Sequence, residues 1–242
     1  MNETVTVVMA VYNEVSTVNT AIELVLNHHV DGAIIDLVIV ESNSTDGTKD
    51  IVRKYLDNPR VTVILQDSPK GKGNAIREGL KSAKGSIILI QDADLEYDIQ
   101  DYARLIHPII DGTADFVLGS RHVKGKSMRH FETQPVKSQV LNFAHWVFAV
   151  LFSVTYGTVL RDPFTMYKVF RRDAIKDVKF YADRFDFDWE LVAKLIRNGY
   201  RPIEIPVTYH SRSFEEGKKV RMLRDPITWI VALIRFRFGR LK

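Results

Sequence analysis

Two carboxylates separated by one residue, Asp92 and Asp94, follow the apolar residues 87–90 after a single glutamine. Carboxylates this close together repel each other unless a proton or a cation lies between them. A hard divalent ion such as Mg²⁺ or Mn²⁺ removes the repulsion and can also bind the phosphate oxygens of a substrate. Glu96 is near enough in the sequence to add a third ligand. An isolated pair of this kind is more often a solvated acidic loop, so the surrounding residues decide between the two interpretations.

The chain around this pair alternates between strand-like and helix-like segments. Each of the first four apolar runs precedes a segment of helical periodicity, and the first of these helices is predicted to have Ser16 as its N-cap. The alternation predicts an α/β fold with a doubly wound, mostly parallel sheet. Ligands bind such sheets at the carboxyl ends of the strands, which is where Asp92 and Asp94 fall. The predicted strands are 5–11, 34–40, 61–65, 86–90, 115–118, 166–170 and 203–209, and the later helices are 99–110 and 187–198.

Length and composition predict a single domain that spans residues 1–242. With 45% hydrophobic and 26% charged residues, the composition excludes a wholly disordered chain and a polytopic membrane protein. The absence of cysteine leaves oxygen and nitrogen atoms as metal ligands. The N-terminal residues lack the pattern of a secretory signal, so we expect a cytoplasmic protein.

Four polar stretches lie at predicted strand ends and must be considered together. They are Tyr-Asn-Glu at 12–14, Glu-Ser-Asn-Ser-Thr-Asp-Gly-Thr at 41–48, Lys-Gly-Lys-Gly-Asn-Ala at 70–75 and Asp-Ala-Asp at 92–94. In this order and spacing they resemble inverting family-2 glycosyltransferases of the GT-A fold, which has a Rossmann-like sheet. Three later stretches, at 119–125, 162–165 and 212–219, resemble the polyprenyl-phosphate sugar synthases of that family. The resemblance covers nearly the whole chain.

The resemblance implies a donor site for a nucleotide diphosphate sugar in residues 1–120, with Mg²⁺ or Mn²⁺ as cofactor. Glu41 can accept hydrogen bonds from a base or ribose, and Lys70 and Lys72 suit a pyrophosphate. The family usually has proline at the position of Ala10 and aspartate at that of Ser42, so the base, UDP or GDP, stays open, as does the sugar. The expected nucleotide-binding residues are Ala10, Tyr12, Glu14, Glu41, Asn43, Asp46, Lys70, Lys72, Gly73, Asp92, Ala93 and Asp94, and the expected metal ligands are Asp92, Asp94 and Glu96.

The acceptor half, residues 121–225, leaves two alternatives. A sugar or glycolipid hydroxyl requires a general base, for which Asp188 or Glu190 is the candidate. A polyprenyl phosphate is already ionised and requires cations instead. The resemblance gives Arg121 a catalytic role beside Asp92 and Asp94. The candidate phosphate-binding cations are Arg121, Arg129, Lys137, Arg212, Lys218 and Lys219.

Residues 138–160 carry no Asp, Glu, Lys or Arg. A broad apolar face with Trp146 favours an interfacial helix at a membrane surface over a buried core helix, which is the alternative. The C-terminal segment, 226–242, repeats the pattern with an apolar run followed by basic residues. We therefore expect peripheral attachment to the cytoplasmic face of a membrane. Packing of this end in a homo-oligomer interface is the alternative.

A nucleic-acid-binding protein without transfer activity is the hypothesis from another class. Its support is the basic C-terminus, with Arg235, Arg237, Arg240 and Lys242. Against it, the positive charge is not spread along a groove with interleaved aromatic residues, and the carboxylate pair would repel a phosphate backbone. We therefore expect no nucleic-acid partner.

Overall fold

The computed structural model of the protein describes residues 2–122, 128, 134–212, 225–239 and 241, and of residues 225–228 it describes only the backbone. Three of the sequence-predicted phosphate-binding residues, Arg129, Lys218 and Lys219, lie outside the described residues, as do Arg240 and Lys242 at the basic C-terminus.

Seven strands form one sheet in the order β3-β2-β1-β4-β6-β5-β7. Strands β3, β2, β1 and β4 are parallel, β6 is antiparallel to both β4 and β5, and β7 is parallel to β5. The predicted α/β class and mostly parallel sheet are confirmed. The strands are β1 (Glu3–Val11), β2 (Ala33–Glu41), β3 (Val61–Leu65), β4 (Ile87–Asp92), β5 (Phe116–Ser120), β6 (Lys168–Arg171) and β7 (Ile203–Pro206).

Helices cover the sheet, and this explains why its central strands have nearly uninterrupted apolar sequences. Residues 87–90 of β4 are at most 1% exposed, as expected for a strand buried on both faces. Short 3-10 helices occupy Ile99–Asp101 and Arg172–Ile175. The α-helices are α1 (Val18–Asn27), α2 (Thr48–Arg53), α3 (Lys72–Ser82), α4 (Tyr102–Ile110), α5 (Pro135–Tyr156), α6 (Phe187–Arg197) and α7 (Asp225–Phe238).

Two local predictions are wrong. The N-cap of α1 is Thr17 rather than Ser16, and the Thr17 hydroxyl donates to the Glu14 carbonyl oxygen at 3.4 Å, which ties the helix start to the preceding loop. Strand β7 ends at Pro206, short of the predicted 209, because its partner β5 ends at Ser120, which pairs with Pro206.

Helix α5 is packed against the protein on one face and exposed on the other. On one face, Phe148 and Phe152 pack edge-on against Trp189 of α6. On the other face Phe143 and Trp146 are more than half exposed. By length and composition the helix could cross a membrane, with a mean hydropathy of 1.3. The buried residues of the helix run from Ser138 to Tyr156, so the rest of the protein covers one face along most of its length.

The strand register brings the polar motifs together. Ala10 of β1 pairs with Asp92 of β4, and Val11 pairs with Glu41 of β2. The loops after three neighbouring strands therefore open at the same edge of the sheet.

Candidate active site

An open cleft of about 840 Å³ lies at the carboxyl ends of β1 and β4. Its walls come from both halves of the chain. Most of the sequence-predicted site residues within the described parts of the chain line it, namely Ala10, Tyr12, Glu14, Lys70, Lys72, Asp92, Ala93, Asp94, Arg121, Asp188 and Arg212, together with Glu96.

The Asp92–Asp94 pair is balanced by cations of the chain itself. The Lys72 ammonium, at the first residue of α3, lies 2.7 Å from the Asp92 carboxylate. The Arg212 guanidinium lies 2.9 Å from Asp94. Burial, together with the nearby charges of Asp92 and Glu96, nevertheless raises the pKa of Asp94 to about 7. Burial is the largest cause of the raised pKa, and the repulsion between the two carboxylates that their spacing predicted adds to it.

A divalent ion fits Asp92 and Asp94 but not the predicted set of three ligands. The Glu96 carboxylate accepts hydrogen bonds from the Tyr209 hydroxyl at 2.7 Å and the Arg212 N–H at 2.8 Å. Within the described residues, no three carboxylate or imidazole side chains are grouped as a metal centre. Mg²⁺ commonly uses one or two carboxylates and completes its shell with water and substrate phosphate oxygens. Asp92 and Asp94 suit such a site, with Glu96 placed beside it.

Three of the predicted nucleotide-binding residues hold loops rather than line the cleft. Both Glu41 oxygens accept backbone hydrogen bonds, from Asn43 at 3.0 Å and Ser44 at 2.6 Å. These bonds stabilise Asn43 at a φ of 57°, in the left-handed region. Asp46 accepts the Val15 N–H at 3.1 Å, which joins the loop after β2 to the loop after β1.

The glycines of the Lys-Gly-Lys-Gly motif allow close packing of the backbone. A Cβ at Gly73 would lie 2.6 Å from Cβ of Phe187, and one at Gly71, where φ is +102°, would lie 2.2 Å from the Asp183 carbonyl oxygen. Glycine is therefore required at both positions so that α3 can approach the segment at the start of α6. Gly73 lies outside the cleft lining, whereas Lys70 and Lys72 are part of it.

A polar network takes the place of the aspartate that the family usually has at Ser42. The Ser42 hydroxyl donates to Gln66 at 3.0 Å, and the Gln66 amide donates to Asn74 at 2.9 Å. Ser42 lines the cleft, with Gln66 and Asn74 behind it. Gln66 and Asn74 could not be recognised from the sequence, because each is an ordinary polar residue until the fold brings them together.

Arg121 is fixed by a buried partner. Its guanidinium forms two hydrogen bonds with Asp162, at 2.8 and 2.7 Å, and stacks on the Tyr209 ring at 5.3 Å. Burial alone would raise the pKa of Asp162, but the charge and hydrogen bonds of Arg121 hold that pKa well below its usual range. Asp162 therefore stays ionised and presents Arg121 to the cleft in one orientation. The sequence motif contained Asp162 but did not indicate this pairing.

Of the two candidate general bases, only Asp188 faces the cleft. Its Oδ1 atom accepts a hydrogen bond at 2.8 Å from Lys168, whose side chain is completely buried. Burial lowers the pKa of Lys168, and the Asp188 charge opposes that effect. Lys168 could not be recognised from the sequence, because a lysine in a strand ordinarily points to solvent.

Glu190 does not suit the role of a general base. Its side chain is completely buried, accepts hydrogen bonds from the backbone N–H groups of Tyr181 and Ala182, and lies 2.8 Å from the Lys194 ammonium. It therefore holds the loop before α6 and is not part of the cleft. Lys137 is also outside the cleft lining, exposed in the first turn of α5.

The far part of the same cleft is apolar and aromatic. Trp189 stacks on Phe164 with ring centroids 4.1 Å apart and on Trp229 at 6.1 Å. Leu141, Ala144 and Phe148 of α5 complete this wall. An apolar end joined to a charged end is suited to an amphipathic substrate.

Known proteins share this sequence pattern and this fold. The profile of glycosyl transferase family 2 matches residues 6–179. The chain is 24% identical over 224 residues to the glycosyltransferase AglJ of Haloferax volcanii, covering 92% of this chain and 68% of that protein. It is 25% identical over 222 residues to a dolichol-phosphate mannosyltransferase of Pyrococcus furiosus, covering 88% of this chain and 58% of that one. The chain thus spans about two thirds of the first relative and less of the second.

A solved structure confirms the predicted GT-A fold. Glucosyl-3-phosphoglycerate synthase of Mycobacterium tuberculosis, crystallised with Mn²⁺, UDP-glucose and phosphoglyceric acid, superposes with a TM-score of 0.66 at 20% identity. The superposition covers 97% of this chain and 80% of that one.

Proposed function

The chain belongs to glycosyl transferase family 2, and on that premise we propose that it transfers a hexose, with inversion, from a UDP- or GDP-sugar to a polyprenyl phosphate. The observation that supports a polyprenyl phosphate as the acceptor is the composition of the cleft. The carboxylate pair, the fixed cation Arg121 and the aromatic wall around Trp189 all line one continuous space. A phosphate attached to an apolar chain requires a cation and an apolar surface together.

On the donor side, the enzyme has to stabilise the negative charge that develops on the leaving nucleoside diphosphate. Lys72 and Arg212 lie within hydrogen-bonding distance of Asp92 and Asp94. They can therefore donate to phosphate oxygens held at the same place. Mg²⁺ or Mn²⁺ bound to Asp92 and Asp94 would add Lewis-acid stabilisation of the diphosphate.

On the acceptor side, Arg121 needs no rearrangement to bind a phosphate. Its Nε and Nη2 atoms are occupied by Asp162, which fixes the plane of the guanidinium. The phosphate nucleophile is already ionised at neutral pH, so no group has to remove a proton from it. Binding and orientation, rather than base catalysis, would then account for the acceptor half of the reaction.

The alternative is transfer to a hydroxyl with Asp188 as the base. The Mycobacterium tuberculosis structure that shares this fold was crystallised with phosphoglyceric acid, and this favours keeping a small phosphorylated acceptor as a second candidate. Against a base, the Oδ1 atom of Asp188 already accepts a hydrogen bond from the buried Lys168 ammonium.

Asp188→Asn separates the two acceptors. The amide oxygen of asparagine can still accept from Lys168, so the buried lysine keeps a hydrogen-bond partner although it loses the opposite charge, and thermal unfolding checks that the variant is folded at the assay temperature. With a polyprenyl phosphate acceptor we expect kcat to stay within about tenfold of the wild type. Loss of a general base would lower kcat by roughly 10²–10⁴-fold.

The measurement is release of nucleoside diphosphate with a polyprenyl phosphate and, separately, with 3-phosphoglycerate. Glu78→Gln, on the exposed side of α3, is the matched control. A drop of 10²-fold or more in Asp188→Asn with donor binding intact would favour the hydroxyl acceptor.

We also propose that α5 and α7 rest on an anionic membrane surface. Phe143 and Trp146 of α5 and Ile234 of α7 are more than half exposed, and Arg235 and Arg237 are exposed on α7. Exposed apolar residues beside cations suit insertion into an anionic interface. This placement would put the mouth of the cleft where a lipid phosphate is found.

Replacing Phe143 and Trp146 by serine should weaken vesicle binding. Burying one large apolar side chain is worth about 1.5–3 kcal/mol, so the double variant should bind phosphatidylglycerol vesicles more than about tenfold less tightly in a sedimentation assay. Leu24→Ser, exposed on α1, is the matched control and should bind like the wild type. Equal binding by all three proteins would contradict the membrane proposal.

A further inference from the structure

The Arg212 guanidinium occupies the point where the donor-site carboxylates converge. Its Nη1 atom lies 3.0 Å from Glu14 and its Nη2 atom 2.9 Å from Asp94. Its backbone N–H donates to Glu96 at 2.8 Å. Three carboxylates from the loops after β1 and β4 thus surround one arginine residue, although Arg212 is separated from Glu14 by 198 positions in the chain.

This arrangement places a positive charge beside a proposed metal ligand. Oδ2 of Asp94 accepts from Arg212, and Lys72 lies 2.7 Å from Asp92. A free divalent ion bound to both carboxylates would meet two fixed cations at close range, and their repulsion opposes its binding. In the nucleotide-free protein, Arg212 therefore competes with the ion for Asp94.

A diphosphate changes this balance. Phosphate oxygens accept paired hydrogen bonds from a guanidinium, and arginine is well suited to them. When a diphosphate is present, Arg212 can exchange Asp94 for a phosphate oxygen at little cost, which frees the carboxylate for the ion.

We infer that Arg212 makes the donor site selective for a divalent ion that arrives with a diphosphate, and disfavours the ion alone. The inference rests on the proposed function, because it concerns the same donor site. Binding of the ion and of the nucleotide is then cooperative, and the coupling is reciprocal: each raises the affinity for the other by the same factor.

The test measures Mn²⁺ binding rather than activity. The loss of the free Mn²⁺ signal in electron paramagnetic resonance gives the affinity of wild-type and Arg212→Gln protein, with and without UDP or GDP, after correction for Mn²⁺–nucleotide complexes in solution. In the wild type, the nucleotide should raise the Mn²⁺ affinity about 5–150-fold. In Arg212→Gln, free Mn²⁺ should bind roughly tenfold more tightly, and the enhancement by nucleotide should shrink.

Two further variants sharpen the result. Arg212→Lys keeps one charge but cannot bridge Glu14 and Asp94 at the same time, so its affinity for free Mn²⁺ should lie between those of the other two proteins. Arg53→Gln, at an exposed pair on α2, is the matched control and should behave like the wild type.

The failure of this inference can be told apart from the failure of the proposed function. If Arg212→Gln binds free Mn²⁺ no more tightly than the wild type while both still bind the Mn²⁺–nucleotide complex, the inference is overturned alone. If neither protein binds Mn²⁺ even with UDP or GDP, the proposed donor site is overturned, and the inference with it.

Discussion

Asp94→Asn should abolish the thermal stabilisation that a donor and a metal ion together give the protein. It should also lower turnover by about 10³-fold or more. A bound ion contributes several kcal/mol to the stabilisation of the leaving diphosphate, and each 1.36 kcal/mol is a factor of ten. At a hundred times its dissociation constant, a donor stabilises the folded wild-type protein by about 2.7 kcal/mol, which is roughly 5–10 °C in Tm for a chain of this size. We expect this shift with Mn²⁺ and a UDP- or GDP-sugar, and not with a chelator.

The pKa of Asp94 gives the same experiment a pH dependence. Because burial and the neighbouring carboxylates raise this pKa to about 7, the ion must displace a proton below that pH. The apparent metal affinity of the wild type should therefore fall about tenfold per pH unit as the pH decreases below about 7, and stay level above it.

Asp111→Asn, an exposed change of the same kind at the end of α4, is the matched control for Asp94→Asn. It should keep the full metal-dependent shift. A shift in Asp94→Asn that equals that of the wild type and survives chelation would contradict the assignment of Asp94 as a metal ligand.

Lys168→Met should destabilise the protein by about 3–5 kcal/mol, which is on the order of 10 °C in Tm. The lysine is completely buried and its ammonium lies 2.8 Å from Asp188, whose side chain is 12% exposed. Methionine fills a similar volume but leaves the carboxylate without its cation, and a largely buried charge without a partner is expensive. Thermal or urea unfolding, monitored by circular dichroism, measures the change.

The double variant Lys168→Met/Asp188→Asn tests the cause. Removing both charges should restore most of the lost stability, with a coupling energy of at least about 1 kcal/mol in the double-mutant cycle. Lys176→Met, at an exposed position after β6, controls for the substitution itself. Additive effects of the two single changes would show that the pair does not stabilise the fold.

Much of the fold and the donor half could be predicted from the sequence, because the signals are local. A strand buried on both faces reads as an uninterrupted apolar run, so β4 was visible in residues 87–90. A parallel sheet places the loops after such strands at one edge, which brings Asp92 and Asp94 to a ligand site whatever the details of packing. The repulsion between the two carboxylates, which adds to burial in raising the pKa of Asp94, likewise follows from their spacing.

The difference between Asp188 and Glu190 shows what local signals cannot give. The two acids are two positions apart on α6, so their side chains point to nearly opposite sides of the helix, about 160° apart. One therefore faces the cleft and the other the loop at 181–182. Both looked like candidate bases in the sequence, because the rotation of α6 about its axis is set by the packing of Trp189 against α5 and α7.

The sequence by itself thus determined the α/β class, the order of the strands along the chain and the carboxylate pair at a strand end. The tertiary structure alone decided which cation meets which acid. Arg121 pairs with Asp162 across 41 positions, Lys168 with Asp188 across 20, and Arg212 with Asp94 across 118. Hydrophobic periodicity is a property of neighbouring residues, whereas these pairs form because packing brings distant segments within hydrogen-bonding distance, where burial makes each charge depend on its partner.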